Sequence, residues 1–353
     1  MIKKQYTILV IFGTFLAFTI LELLLNILDV VALLDESLVK YDPYLGYKFK
    51  PNIDKTNHKN ADGELHRVTT TSLGFDDIGF RDDGINGTAY AVAIGDSFTA
   101  GTHLDLEDNW SKLLENMLHK DVANLGVFGY GTTDELYILE NYGLKLKPKV
   151  VIWGFFINDF SDDYNRYKDT NKSETFPEIL YKRFATVRFI WKIFGDARRE
   201  AQVLKYKDDK LNLVLWPDQW LSVYPTSPSF SGVKIGENIT KSNILIAKTI
   251  TENVNATFIL LLFPSKEQVY SHLMERLSKN ISKYDDIGYP TESLRKLCKD
   301  NNIKCLDLLP IMTEHSIKSE QIYFPIDGHP NKEGNKIVAN AIYNFIIENN
   351  LDK

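Results

Sequence analysis

The chain has 353 residues, of which 44% are hydrophobic, and this is enough to build a sizeable buried core in one large or two small domains. It carries 41 Lys and Arg residues against 47 Asp and Glu residues, which gives a formal net charge of −6. Because nucleic-acid binding needs a basic excess that this balance lacks, we expect no nucleic-acid partner.

The first predicted element is an apolar helix at the N-terminus. Residues 5–33 are apolar for most of the roughly 20 residues that a membrane-spanning helix needs. Lys3 and Lys4 precede this segment, so the positive-inside rule places residues 1–4 in the cytoplasm and the rest of the chain outside it. We therefore expect an uncleaved signal anchor, a single membrane pass and an extracytoplasmic main domain. A cleaved signal peptide and a buried amphipathic helix of a soluble domain are the alternatives.

The pattern changes twice after this helix. Residues 34–88, which we call the leading segment, are rich in turns and short alternating runs, and this predicts short strands and loops that cover a larger domain. In residues 89–353 short apolar runs alternate with amphipathic helices, which is typical of βαβ units and a parallel sheet in an α/β domain. The five predicted strands lie at 90–94, 122–127, 150–156, 257–263 and 303–309.

The alternation lapses between about 160 and 241, where the chain is polar and aromatic. We interpret this stretch as an insertion over the sheet edge, because long irregular stretches of compact domains are usually lids or binding segments. Ordinary helices with an unrecognised pattern are the alternative. Trp216 and Trp220 lie in this stretch, where they would either stack on sugar faces or pack the insertion onto the sheet. The last helix has Asn331 as its predicted N-cap.

The cysteines and histidines indicate which redox and metal chemistry the chain can support. Cys298 and Cys305 are the only two cysteines, and outside a membrane they would close a small disulfide loop, with unpaired burial as the alternative. The seven histidines are scattered and no CxxC pair is present, so no metal-site spacing is evident. We expect neither a metal nor another cofactor.

Polar residues follow three of the predicted strands. Ser97, Gly129 and Asn158 each come just after a different strand, and His329 lies in the loop before the last helix. In an open parallel sheet, ligands bind beyond the carboxyl ends of the strands. A serine, a histidine, a nearby carboxylate and hydrogen-bond donors gathered there are the parts needed for acyl transfer through a covalent serine ester.

Four blocks of this sequence resemble those of the SGNH (GDSL-type) hydrolase family in order and spacing. They are "IGDSFTAG", "NLGVFGYGTT", "FFINDF" and "DGHPNKEG", and the likeness spans about residues 88–348. The leading segment, with "LGYKFKPN" and "GFRDD", is similar to that of membrane-anchored bacterial members. The resemblance implies a flavodoxin-like three-layer α/β/α fold and action on esters, chiefly acyl groups on lipids and carbohydrates.

The resemblance also implies a role for each matched residue. Ser97 would be the nucleophile, and His329 the base that takes its proton and returns it to the leaving alcohol. Asp327 would fix the tautomer of the imidazole. The donors to the developing oxyanion would be the backbone N–H groups of Ser97 and Gly129 and the side-chain amide of Asn158.

Two positions depart from the family pattern. The family's acid stands three residues before the histidine, whereas Asp327 stands two before it, so Asp307 is kept as a fallback acid. Phe156 replaces a glycine two residues before Asn158. His103 is a rival base close to Ser97 in sequence. An α/β-hydrolase is disfavoured because position 99 is Thr where that fold's nucleophile turn has Gly.

The sequence thus favours a membrane-tethered, extracytoplasmic serine esterase that removes acyl groups, such as acetyl, from a glycan or a lipid. An O-acyltransferase acting on cell-surface polysaccharide with the same site is a close alternative. A catalytically inactive binding or assembly protein of the cell surface is the alternative from another class, because folds are reused in this way.

Overall fold

The computed structural model describes residues 2–27, 38–85, 87–170, 204–222, 224–277 and 281–352. Two compact units divide the chain, one made of Met1–Leu38 with Asn171–Glu200 and the other of Val39–Thr170 with Ala201–Lys353. The predicted insertion therefore lies partly outside the described residues.

The described part of the first unit is one α-helix, Ile2–Ile27, which coincides with most of the apolar segment of the sequence. A search of the described residues finds no helix with the combination of length and hydropathy required to cross a membrane. The signal anchor stays a prediction from the sequence.

The second unit begins with two antiparallel hairpins in the leading segment, as its turn-rich pattern predicts. The four strands are β1 (Val39–Asp42), β2 (Gly46–Phe49), β3 (Asp54–Lys59) and β4 (Leu65–Thr69). The first hairpin pairs Val39 with Phe49, and the second carries a register shift between Lys55 and His58.

The core of the unit is a five-stranded sheet in which every neighbouring pair is parallel. Its strands are β5 (Ala91–Gly95), β6 (Val122–Asn124), β7 (Val150–Phe155), β10 (Thr257–Leu262) and β11 (Lys304–Asp307). Across the sheet their order is β6, β5, β7, β10, β11, and the α/β class with a mainly parallel sheet is confirmed. β5, β7 and β10 are nearly continuous apolar runs, because both faces of a parallel sheet are covered by helices, whereas the edge strand β11 is partly polar and partly exposed.

Counted along the chain, these strands have the order 2-1-3-4-5, which is the flavodoxin-like arrangement. The order reverses between β5 and β7, which are neighbours with Gly95 opposite Gly154. Ligands of such sheets bind in the crevice outside the carboxyl ends of the strands at this reversal. The crevice lies beside the segments that follow β5 and β7, which contain Ser97 and Asn158.

The longer helices form two groups that are packed within themselves. Helix Trp110–Leu118 packs with the last helix, Lys332–Glu348, which Asn331 caps by accepting the N–H of Gly334. The other group contains Thr132–Asn141, Asp159–Thr170 and Ser231–Asn253. The connection from β5 to β6 contains Trp110–Leu118, whereas those from β6 to β7 and from β7 to β10 run in the opposite direction across the sheet. Because such crossovers are right-handed as a rule, we expect the two groups on opposite faces of the sheet. Further helices are Ser97–Ala100, Gln219–Ser222, Lys266–Val269, Ser271–Leu277, Tyr289–Asp300 and Leu309–Ile317.

The stretch between 160 and 241 contains regular elements that its sequence pattern did not reveal. A hairpin joins β8 (Leu204–Lys207) to β9 (Asn212–Leu215), and helix Ser231–Asn253 begins inside the stretch. The buried face of that helix includes Gly236 and Thr240, so it lacks the apolar stripe by which a helix is recognised. A Cβ at position 236 would lie 1.7 Å from the carbonyl oxygen of Phe160, so the small residue permits close helix contact.

Cys298 and Cys305 are free thiols in the structure, and the predicted disulfide is absent. A hydrogen bond with Cys298, together with burial, raises the pKa of Cys305 well above its ordinary value. Both thiols are unpaired, as in the alternative interpretation, but only Cys298 is buried, whereas Cys305 is half-buried.

Candidate active site

Ser97 lies at the carboxyl end of β5, where the chain turns sharply from strand to helix. Gly95 permits this turn, because its φ is +154° and a Cβ there would lie 2.3 Å from a side-chain oxygen of the helix that follows. Asp96 caps this helix by accepting the N–H of Phe98 at 2.9 Å. Ser97 is therefore the first residue of a helix that starts directly from the sheet.

Buried side chains brace this turn from behind. The side-chain amide of Asn124 donates to the carbonyl of Thr99 at 2.8 Å. Arg81 is fully buried and donates to the carbonyls of Gly101 at 3.2 Å and Leu104 at 2.8 Å. Carbonyls at the end of so short a helix lack partners inside it, and these side-chain bonds help to satisfy them, as does the N–H of Leu104, which donates to the carbonyl of Gly101 at 3.3 Å.

Ser97, His329 and Asp327 form a continuous hydrogen-bonded series. Nε2 of His329 lies 2.8 Å from Oγ of Ser97, and Nδ1 of His329 bonds to Oδ1 of Asp327. Although burial alone would raise it, the charge and hydrogen bonds of His329 hold the pKa of Asp327 below its ordinary value. The ionised carboxylate can accept a hydrogen bond from Nδ1–H of His329. This bond keeps the ring proton on Nδ1 and leaves Nε2 free to take the proton of Ser97.

The unusual spacing of acid and base is accommodated locally. Oδ1 of Asp327 also accepts the backbone N–H of His329 at 2.9 Å, so the acid closes a turn on the residue that it orients. The fallback acid, Asp307, accepts Nε of Arg295 at 2.7 Å and caps its own helix by accepting the N–H of Leu309 at 3.0 Å. The structure does not bring Asp307 to His329.

Gly129 and Asn158 follow the two strands that flank β5. Gly129 has a φ of +70°, and its N–H has no acceptor among the residues that the structure describes. Nδ2 of Asn158 donates one hydrogen to Asp162 at 2.7 Å, which leaves the second amide hydrogen for another acceptor. Burial raises the pKa of Asp162 well above its ordinary value. Gly129 and Asn158, which carry two of the three donors that the sequence predicts, thus each keep a hydrogen for a further acceptor.

Phe156, the residue in the place of the family's glycine, packs against the nucleophile's helix. Its ring stacks on Phe98 with the centroids 3.9 Å apart, and the ring of Phe98 lies 4.7 Å from that of His329. Trp220 meets Phe156 edge-on and donates to Glu267 at 2.9 Å. Because Trp220 is buried, it packs this aromatic wall and offers no face to a sugar.

Two charges hold the chain segment that contains Asp327. The buried ammonium of Lys266 donates to the four carbonyls of residues 324–327 at distances between 2.7 and 3.3 Å. Asp62, in the turn of the β3–β4 hairpin, accepts the N–H of Ile326 at 2.6 Å and that of Asp327 at 2.9 Å. Burial lowers the pKa of Lys266 to about 8. One peptide segment is therefore held through its carbonyls by a cation and through its N–H groups by an anion.

His103, the rival base, lies behind the catalytic histidine. Its ring stacks on that of His329 with the centroids 3.8 Å apart, and its Nε2 is 3.8 Å from Oδ2 of Asp327. Burial and the neighbouring His329 lower the pKa of His103 to about 3, so its imidazole is neutral. Within the described residues, His103, Asp327 and His329 are the single group of three side chains placed to hold a metal ion.

Sequence reasoning missed the bracing residues of the site. Arg81 belongs to the "GFRDD" motif, for which the sequence indicates only a similarity to other proteins and no structural role. Tyr47 belongs to "LGYKFKPN", and its hydroxyl donates to the carbonyl of Phe128 at 2.7 Å. No local pattern marked Lys266 or Asp62. Trp216 is half-buried and donates to the carbonyl of Ile326 at 3.3 Å, beside the segment that Lys266 holds.

No protein-family model and no curated protein sequence matches this chain. The fold is similar to that of a catalytic mutant of an acetylxylan esterase from Geobacillus stearothermophilus, with 12% identity, a TM-score of 0.44 and coverage of 74% of this chain and 95% of that chain. It is also similar to a GDSL-like lipase from Bacteroides thetaiotaomicron VPI-5482, with 11% identity, a TM-score of 0.38 and coverage of 73% and 88%. At identities this low, the similarity does not indicate the role of any side chain, and each role is inferred from the contacts of that side chain in this protein.

Proposed function

We propose that this chain is a serine esterase that removes O-acyl groups, such as acetyl, from glycans or lipids through a covalent acyl-enzyme. The observation that carries the proposal is the hydrogen-bonded series from Ser97 Oγ through His329 to Asp327 at the carboxyl edge of the sheet. Such a series activates a hydroxyl that is otherwise a weak nucleophile at neutral pH.

The proposed reaction uses each of these groups in turn. Oγ of Ser97 attacks the ester carbonyl while Nε2 of His329 takes its proton, and Asp327 stabilises the imidazolium that results. The oxyanion accepts hydrogen bonds from the backbone N–H groups of Ser97 and Gly129 and from the free amide hydrogen of Asn158. His329 then returns the proton to the leaving alcohol, and water releases the acid by the same steps in reverse.

The aromatic wall beside Ser97 supports a preference for small acyl groups. Phe98 and Phe156 are buried and stacked on one another, so they fill space that a long acyl chain would need. We expect higher kcat/KM for p-nitrophenyl acetate than for the octanoate, and release of acetate from acetylated polysaccharide. Equal or better turnover of octanoate would contradict this substrate class and indicate a lipase-like role.

Covalent labelling tests the function most directly. Purified full-length protein should react with a fluorophosphonate, and Ser97→Ala should abolish the labelling while leaving the thermal unfolding transition in place. Ser111→Ala is a suitable control, because Ser111 is buried behind the nucleophile turn and bonds to Asn109 at 2.7 Å. Labelling without hydrolysis, followed by turnover when a sugar acceptor is added, would favour the O-acyltransferase. No labelling would favour an inactive surface protein.

We also propose that helix Ile2–Ile27 attaches the enzyme to a membrane with the second unit outside the cytoplasm. Large apolar side chains are exposed along this helix, among them Phe12 at 65% and Phe15 at 68%. An epitope at the C-terminus should be cleaved by protease added to spheroplasts, whereas a Lys3→Glu/Lys4→Glu variant should protect part of it. A main pool of protein in the soluble cytoplasmic fraction would contradict the attachment.

A further inference from the structure

We propose that His103, Asp327 and His329 form a binding site for a divalent transition-metal ion, with Zn²⁺ as the best fit, and that the bound ion inhibits the enzyme reversibly. Binding is a property of the three side chains alone. The inhibition rests on the proposed esterase function, because it acts through the same histidine.

The three side chains supply ligand atoms of the right kind at close quarters. Each of them offers one such atom, and these atoms all lie within 4.8 Å of one another. Imidazole nitrogens and a carboxylate oxygen are the ligands that Zn²⁺ takes in three-residue sites with an open fourth position.

His103 and Asp327 are near one another but too far apart for a hydrogen bond. Nε2 of His103 is 3.8 Å from Oδ2 of Asp327, beyond the 2.7–3.2 Å or so of such bonds. Bonds of about 2.0–2.2 Å from a zinc ion to nitrogen and oxygen nearly span this gap. Nδ1 of His103 has no partner among the described residues, so nothing fixes the proton of this ring on Nε2. The ring is therefore free to present the lone pair of Nε2 to an ion.

The third ligand explains the inhibition. The neutral ring of His329 has a single proton, which the proposed catalysis needs on Nδ1 in the hydrogen bond to Asp327. A metal ion bound at Nδ1 would move this proton to Nε2, so that the ring stays neutral and no proton is lost. Nε2 then has no lone pair for the proton of Ser97. Metal and catalysis consequently exclude one another at a single nitrogen atom.

His103 borders a cavity of about 380 Å³, whose lining does not include Asp327 or His329. Four carboxylates, among them Glu64 and Asp105, and one cation, Lys332, line it. Its carboxylates favour cations over anions. The side chain of His103 is 21% exposed, so the ring is within reach of solvent while being held by its neighbours.

The experiment uses tag-free, full-length protein stripped of metal with a chelator. Zn²⁺ affinity is measured by competition with a chromophoric indicator, and Co²⁺ is used as a spectroscopic probe because its visible absorption reports the ligand field. The variants are His103→Phe, which can keep the ring stacking but has no ligand atom, and Ser97→Ala, which has all three ligands but no nucleophile. His119→Asn is the matched control. His119 is an exposed histidine outside the three proposed ligands, and it has a φ of +53° that Asn tolerates.

We expect wild type, Ser97→Ala and His119→Asn to bind one Zn²⁺ with the same affinity, and His103→Phe to bind at least roughly tenfold more weakly. Hydrolysis by wild type should fall with added Zn²⁺ and return with EDTA, whereas the fractional inhibition of His103→Phe should need a correspondingly higher concentration. Equal binding by His103→Phe and wild type would overturn the site. If no variant hydrolyses esters but binding still depends on His103, the site stands and the proposed function fails.

Discussion

The carboxylate of Asp62 accepts the backbone N–H of Asp327 at 2.9 Å, which joins the turn of the β3–β4 hairpin to the acid of the catalytic series. The same carboxylate accepts the N–H of Ile326 at 2.6 Å. Asp62 bonds to the backbone of the acid and not to its carboxylate, so it is a positioning residue. The leading segment is therefore part of the active site's support and more than a cover for the main domain.

Replacing Asp62 by Ala should lower kcat by about tenfold to a hundredfold with a smaller change in KM, because misplacing a catalytic group by about 1 Å costs on this scale. Asp62→Asn keeps one acceptor oxygen and should recover part of the loss. Asp76→Ala, at an exposed position of the same segment, is the control and should behave as wild type. Steady-state kinetics on an acetate ester measure all three, and equal rates for Asp62→Ala and the control would contradict the role.

Because Lys266 is buried, we expect the stability of the protein to rise and its activity to fall as the pH increases. Burial lowers its pKa from 10.5 to about 8, so between these values the unfolded chain binds more protons and folding becomes more favourable as pH rises. The full effect is roughly 3 kcal/mol. Activity should fall as the folded protein loses this proton, with a midpoint near pH 8, because a neutral amine has two hydrogens for four carbonyls.

Urea denaturation and initial rates between pH 7 and 10 test this response in wild type and Lys266→Met. The variant should lack this contribution to the pH dependence of unfolding, and its activity should be lower at pH 7 and flat where that of wild type declines. A wild-type alkaline decline that persists unchanged in Lys266→Met would show that another group causes it.

Asp327→Asn should lower kcat by roughly three orders of magnitude, because the amide no longer favours the imidazole tautomer that the base needs. His329→Ala should cost more. Asp307→Asn should change kcat by less than about twofold and lower the free energy of unfolding by at most about 1 kcal/mol, since it loses a partly exposed ion pair with Arg295. A larger kinetic loss in Asp307→Asn than in Asp327→Asn would reassign the acid.

Asn158→Ala should lower kcat by roughly 10²–10³-fold and leave KM nearly unchanged, because an oxyanion donor acts mainly in the transition state. Asp162→Ala keeps the amide and removes only the acceptor that orients it, which lies 2.7 Å from Nδ2. We expect this second variant to lose about tenfold or less. Kinetics on the acetate ester distinguish the two, and a larger loss in Asp162→Ala would place the functional contact on the carboxyl group.

The parts of the site that could be predicted are those that local sequence marks. Ser97 follows a buried apolar strand and a glycine, and Asp327 and His329 stand together before a capped helix, so short sequence blocks mark these residues. Strands β5, β7 and β10 could be predicted because each is a nearly continuous apolar run bounded by turns.

The parts that could not be predicted depend on contacts between distant residues. The bond from Asp62 to Asp327 spans 265 positions, and that from Lys266 spans 61, and neither charge differs locally from a solvated one. A buried Lys is rare enough that sequence alone places it on the surface. Helix Ser231–Asn253 escaped recognition because small and hydroxylated residues occupy its buried face.

The proposed catalytic groups are divided between two kinds of support. Ser97, Gly129 and Asn158 are attached to three adjacent strands of one sheet, whose spacing is set by the backbone ladder. His329 and Asp327 come from a loop outside the sheet, whose place depends on side chains that can be exchanged one at a time. Substitutions at the side chains that support this loop can thus change the position of the proton-transfer groups, Asp327 and His329. The groups proposed to receive the ester keep their spacing, because the sheet sets it.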